Sequence, residues 1–142
     1  MKIREITPED IGYLEELYVR CRTQTFSWIP RNSFHLADFL IDTKGEEILV
    51  LEDRGDVVGF CSVWRADNFL HHLYIDTSYQ GKGFGKLLLN TCLKKQILKL
   101  PARLKCVARN KSACKFYEKL GWKIESTTDE GPMGTYHTYV LY

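Results

Sequence analysis

The residues with the most chemical content lie between Leu73 and Leu89, a stretch that runs LYIDTSYQGKGFGKLLL. An apolar strand-like segment, Leu73-Tyr74-Ile75, hands over through Gln80-Gly81-Lys82-Gly83-Phe84-Gly85-Lys86 to a leucine-rich amphipathic run. A glycine-rich bend at a strand-to-helix junction presents unpaired amide N–H groups at the positive end of a helix dipole. Such a site binds phosphate, and glycines let a ligand approach the backbone closely. The chemistry to expect is capture of a phosphorylated ligand. Two familiar loops fail here at residues they require. A dinucleotide fingerprint needs a third glycine where Lys86 stands, and a P-loop needs glycine at Gln80 and Ser or Thr at Leu87.

A second constellation runs from Asn110 to Trp122. Asn110 is a good N-cap, and Ala113, Phe116, Tyr117 and Leu120 then fall on one helical face that Gly121 terminates. An ordinary amphipathic helix explains the apolar stripe. It does not explain a tyrosine on the core-facing side, whose hydroxyl must find a partner. Two histidines, His71 and His72, precede the glycine loop. A free imidazole titrates near pH ~6.5, which suits proton collection from an ammonium through water. Strict alternation sets His71 on the face of Leu73 and Ile75 and His72 on the other; a bulge would exchange them. Alternation ranks His71 first.

Gln80, Gly83 and Gly85 match the pattern Q/R-x-x-G-x-G/A, and Asn110, Ala113, Phe116, Tyr117, Gly121 and Trp122 match N-x-x-A-x-x-F-Y-x-x-x-G-[FW]. In this order the two motifs resemble the signatures of the GNAT superfamily of N-acetyltransferases, over roughly residues 57–122. The resemblance implies a mixed, mostly antiparallel seven-stranded sheet with helices on both faces, an α/β (α+β) fold. It implies a single domain over 1–142 and acetyl-CoA as co-substrate, with no metal. The expected reaction is acetyl transfer to a primary amine of a small molecule or protein, by direct attack in a ternary complex. Leu73, Tyr74 and Ile75 would lie along the pantetheine arm and residues 80–86 would wrap the pyrophosphate, with Lys82 and Lys86 either adding charge or simply solvated. Asn110 would orient the arm or cap its helix, beside Ala113 and Phe116. Tyr117 would be the general acid for the departing thiolate. Many relatives carry a glutamate on the strand before the loop. This chain has only Asp67 between Asp56 and Asp76, so the base falls to His71 or His72. Phe26, Trp28, His35, Asp129 and Glu130 are the acceptor-side candidates, with Asp38 as a further acid. Cys106 and Cys114, close to the motifs, keep a ping-pong route open as a minor option. A non-catalytic acetyl-CoA-binding sensor or interaction module would carry the same binding motifs; Tyr117 beside a candidate base favours an enzyme.

The elements that must position these groups follow from periodicity and turn chemistry. Residues 2–6 read as a strand, and Thr7-Pro8-Glu9-Asp10 opens a helix carrying Leu14, Leu17, Tyr18 and Cys21 inward. A short helix is expected over 33–40. Residues 47–52 and 57–64 form a hairpin around Asp53-Arg54-Gly55-Asp56, followed by a strand over 69–76. A helix from Gly85 runs until Pro101 stops it, and strands over 103–108, 122–128 and 135–142 complete seven. At 142 residues, 44% of them hydrophobic, the chain suits one globular domain. A net charge of +2 with dispersed lysines and arginines gives no case for nucleic acid. No apolar stretch reaches 18 residues and the N-terminus is no signal peptide, so a cytoplasmic monomer or homodimer off the membrane is expected. Five cysteines without C-x-x-C spacing read as buried apolar residues.

Overall fold

The structure, a computed structural model, describes residues 1–142. Seven strands form one sheet in the order β1-β2-β3-β4-β5-β7-β6. They are β1 (Lys2–Glu5), β2 (Glu47–Asp53), β3 (Asp56–Trp64), β4 (Phe69–Ile75), β5 (Ala102–Val107), β6 (Lys123–Gly131) and β7 (Gly134–Leu141). Helices α1 (Ile11–Thr25) and α2 (Asp38–Asp42) come before β2, α3 (Phe84–Lys94) joins β4 to β5, and α4 (Lys111–Lys119) joins β5 to β6. Every neighbouring pair is antiparallel except β4 and β5. The element order and the sheet are those expected from the sequence.

Alternation divides the apolar side chains between two cores. Leu49, Leu51, Cys61, Val63, Leu70 and Leu104 point to the face covered by α3 and α4. Ile48, Val50 and Phe60 point to the other, where Leu14, Leu17, Tyr18 and Cys21 of α1 pack with Phe39 of α2. Leu14 and Leu17 are fully buried, each burial contributing roughly 1.5–3 kcal/mol. The β2–β3 hairpin turns on Arg54 (φ 54°) and Gly55 (φ 86°), the two left-handed residues that a tight two-residue hairpin requires.

Two expected helices are corrected. In place of a helix over 33–40 there is a 3₁₀ turn at Arg31–Ser33 and then the short α2. Asp38 explains the late start: its carboxylate accepts the backbone N–H of His35 at 2.8 Å and is fixed by Arg22 at 3.1 Å. Helix α3 does not reach Pro101. It ends at Lys94 because Gln96 turns left-handed (φ 58°), and the amides of Ile97 and Leu98 both donate to the Cys92 carbonyl. That turn tucks both apolar side chains into the core.

Candidate active site

Strands β4 and β5 pair at only two positions, Phe69 with Arg103 and Leu70 with Leu104. Beyond them the strands part. The gap opens into a cleft of about 480 Å³ lined by Leu73, Tyr74 and Ile75 of β4, the loop from Tyr79 to Lys86, and Asn110, Ala113, Phe116 and Tyr117. All the sequence-predicted cofactor residues line it except Lys82, whose ammonium lies 5.3 Å from the Tyr79 ring centre. Thr25, Tyr79 and Ser112 also contribute, and no motif marks them.

The loop is built to leave its amides free. The Gln80 side-chain amide donates to the Ile75 carbonyl at 2.9 Å and braces the bend. Gly83 caps α3 with φ 82°, and the N–H of Leu87 makes a bond to the Gly83 carbonyl. The first-turn amides of 84–86 therefore have no partner within the helix. A Cβ built at Gly81 or Gly83 would meet nothing within 4 Å, so the backbone there faces open space where a ligand can approach. Gly85 is glycine for another reason: a Cβ there would lie 3.4 Å from Phe116 Cζ, at the contact of α3 with α4.

Tyr117 also lines the cleft, its ring packed against Phe116, Trp122 and Tyr139. Burial pushes its phenol pKa up, so the hydroxyl keeps its proton and can donate it. Asn110 caps α4 by accepting the Ala113 amide at 3.4 Å. Cys106 and Cys114 sit behind this wall with their Sγ atoms 3.6 Å apart. Burial, together with Cys114, pushes the Cys106 thiol up and away from the thiolate form.

The expected parity of the two histidines is corrected. The β3–β4 register shifts between Ser62 and Val63: Ser62 faces His72 and Val63 faces Leu70, which leaves His71 as the extra residue of a bulge. His71 is therefore not on the face of Ile75. The two imidazoles stack on one side with ring centres 3.8 Å apart. His72 is buried; Ser62 Oγ lies 2.8 Å from its Nδ1 and Tyr18 Oη lies 3.1 Å from its Nε2. Tyr18 spends its own proton on Asp42, at 2.7 Å. One protonation pattern satisfies all of them: Ser62 donates to Nδ1, and Nε2–H donates to Tyr18. Burial pushes the His72 pKa down, keeping it neutral. The His71 side chain is 41% exposed, with Nδ1 against a carboxylate oxygen of Glu46.

Sequence reasoning missed Glu46, which lies 25 positions from His71, just before β2. Burial opposes its charge, yet the neighbouring His72, His71 and Ser62 outweigh that and hold its pKa below the usual glutamate value. Glu46, His71 and His72 bring ligand atoms within 4.8 Å of one another. Glu46 and His71 meet as a hydrogen-bonded pair, however, and Ser62 occupies the His72 Nδ1.

On this same face the loop after α1 meets the β6–β7 hairpin. Trp28 Nε1–H donates to the Met133 carbonyl at 3.1 Å, Arg109 stacks 4.2 Å above the Trp28 ring, and Phe26 packs edge-on beneath it. Glu130 lines a smaller cavity of about 290 Å³ beside Met133, Tyr136 and Lys105. His35 and Asp129 are not drawn into either cavity, and Asp38 is committed to Arg22.

Comparison with known proteins accords with this architecture. The family model described as acetyltransferase (GNAT) domain matches residues 44–124, more than half of the chain. An N-acetyltransferase from Staphylococcus aureus Mu50 superposes with a TM-score of 0.78 at 17% identity, covering 99% of this chain and 100% of that one. The PaiA N-acetyltransferase of Thermoplasma acidophilum, solved with coenzyme A, gives 0.75 at 22% identity, with 99% and 98% covered. A ribosomal-protein-alanine N-acetyltransferase from Brucella melitensis gives 0.72 at 18% identity, with 99% of each chain covered. A search of curated proteins finds no match. The chain belongs to the GNAT acetyltransferase family and is an acyltransferase.

Proposed function

We propose that residues 1–142 form a single catalytic domain that moves the acetyl group of acetyl-CoA to a primary amine of a small molecule or protein. The observation that carries this reading is the cleft itself, which is lined by a helix first turn with free amides, a protonated tyrosine and a parted strand edge. The first-turn amides of 84–86, with Lys86, hold the pyrophosphate. The edge of β4 at Leu73 and Ile75 pairs with the amide-rich arm as a further strand would. Acetyl-CoA supplies the acetyl group as a thioester. Tyr117 holds a proton at Oη for the sulfur that leaves. His71, exposed on the face opposite α3 and α4, takes the proton that the acceptor ammonium must lose. His72 backs it rather than sharing the task, because both its ring nitrogens are committed.

Direct attack fits better than a covalent acetyl-enzyme. Cys106 is held as a thiol, and neither it nor Cys114 lines the cleft. The neighbour solved with coenzyme A supports the cofactor, and the neighbour named a ribosomal-protein-alanine N-acetyltransferase supports keeping a protein acceptor in the reading. No helix is long and apolar enough to cross a membrane, and five free cysteines suit the reducing cytoplasm. The test is a melting curve with acetyl-CoA, ATP and NAD, followed by thiol release against polyamines, aminoglycosides, amino acids and N-terminal peptides. Acetyl-CoA alone should raise Tm by mass action. Stabilisation by ATP or NAD and not by CoA would overturn the assignment.

A further inference from the structure

We propose that Glu46 is a positioning residue for acetyl transfer: it holds the His71 imidazole as the Nδ1–H tautomer, leaving the Nε2 lone pair for the acceptor amine. The inference rests on the reading of His71 as the base and adds to it a carboxylate from the turn that leads into β2.

Three contacts fix the His71 ring, and a backbone bulge makes them possible. The bulge at His71 lets two consecutive imidazoles lie on one side of β4, where alternation would separate them. His72 forms a plate under His71 at 3.8 Å between ring centres, and is itself anchored by Ser62 and Tyr18. Phe69 closes one flank at 6.1 Å. Glu46 closes the other through Nδ1. The carboxylate is no loose surface group. Gly45 turns left-handed at φ 79°, the Glu46 amide donates to the Thr43 carbonyl at 3.0 Å, and the side chain is only 5% exposed.

The chemistry follows from these positions. A carboxylate held ionised can only accept, so Nδ1 must carry the proton and Nε2 must be the basic nitrogen. When an ammonium N–H proton passes to Nε2, the imidazolium that forms lies against a fixed negative charge. The freed amine pair attacks the acetyl carbon, the C–S bond breaks and the sulfur takes the Tyr117 proton; the second N–H proton of the addition intermediate restores the Tyr117 hydroxyl, and His71 returns its proton to solvent. Buried Oε1 of Glu46 has no hydrogen-bond partner. It lies 3.8 Å from His72 Nδ1, so its negative charge sits beside both imidazoles.

The experiment joins nitrogen-15 NMR of the imidazoles at neutral pH to turnover of L-lysine, spermidine and an N-terminal tripeptide. In the wild-type protein His71 should show a protonated Nδ1. In Glu46→Gln the tautomer should shift, and kcat should fall roughly 10–10³-fold while the acetyl-CoA KM holds. Glu46→Asp, which keeps the charge on a shorter arm, should recover part of the loss. A wild-type His71 protonated at Nε2 overturns the proposal whatever the variants do. So does Glu46→Gln with wild-type turnover while His71→Ala is impaired; unchanged turnover in His71→Ala instead removes the base reading beneath it. Stoichiometric Zn²⁺ binding abolished by His71→Ala would also overturn the proposal, because the three side chains would then be ligands.

Discussion

Gly83→Ala separates the phosphate-binding role of the loop from its backbone strain. Gly83 sits at φ 82° with nothing within 4 Å of a built Cβ, so alanine meets no steric clash and only the left-handed conformation costs. That strain is about 1–2 kcal/mol, offset by about 0.4–1 kcal/mol from the stiffer unfolded chain. The net loss should be about 1 kcal/mol, or roughly 2–4 °C in Tm for a chain of this size. Gly55→Ala is the matched control: φ is 86°, the space around it is equally open, and it lies in the β2–β3 turn outside the cleft. Both variants should melt a few degrees early. Only Gly83→Ala should also lose affinity, because Gly83 lines the cleft and its methyl would occupy open space at the proposed pyrophosphate site. Calorimetric titration with acetyl-CoA on both folded proteins reads the difference. Equal CoA affinity in the two would refute the assignment of this loop.

Tyr117→Phe keeps the ring and removes the donor, so CoA binding should hold while turnover falls roughly 10–10³-fold; a wild-type rate would leave Tyr117 a packing residue. His71→Ala should cost turnover and also some stability, because the buried Glu46 carboxylate loses its partner. His72→Ala should cost about 1–3 kcal/mol in urea unfolding, because the buried Ser62 and Tyr18 hydroxyls lose their partner. Asp10 is held by Arg4 at 2.7 and 2.9 Å, and its pKa is lowered to about 2 by that bond and by Thr7. A depressed carboxylate stabilises the fold above the unfolded value of 3.8 and loses that contribution as pH falls towards 2. Asp10→Asn should therefore be less stable by about 2 kcal/mol at pH ~7, with the gap to wild type closing in acid.

The lining of the cleft was legible because its signals are local. A strand, three glycines, a capping asparagine and a stripe from Ala113 to Leu120 each declare themselves within a few residues. The acceptor side was not. The bulge at His71 exists only in how β4 pairs with β3, and alternation along a single strand cannot reveal it. Glu46 reaches His71 from the turn before β2, set by Gly45, and no sequence motif links them. The end of α3 was misplaced because Pro101 is the louder signal, whereas the break comes from Gln96 adopting a left-handed conformation that its residue type does not announce.

All five cysteines are buried, each in a different element: Cys21 in α1, Cys61 in β3, Cys92 in α3, Cys106 in β5 and Cys114 in α4. Acetyl transfer is followed most simply by a chromogenic reagent that titrates the released CoA thiol, and here the protein contributes no background while it stays folded. The same silence makes the thiols a set of internal alarms. An element that opens exposes its own cysteine, and the rate of its labelling measures the free energy of that opening. Mapping labelled cysteines with and without acetyl-CoA would show which elements the cofactor ties down, without introducing a single probe.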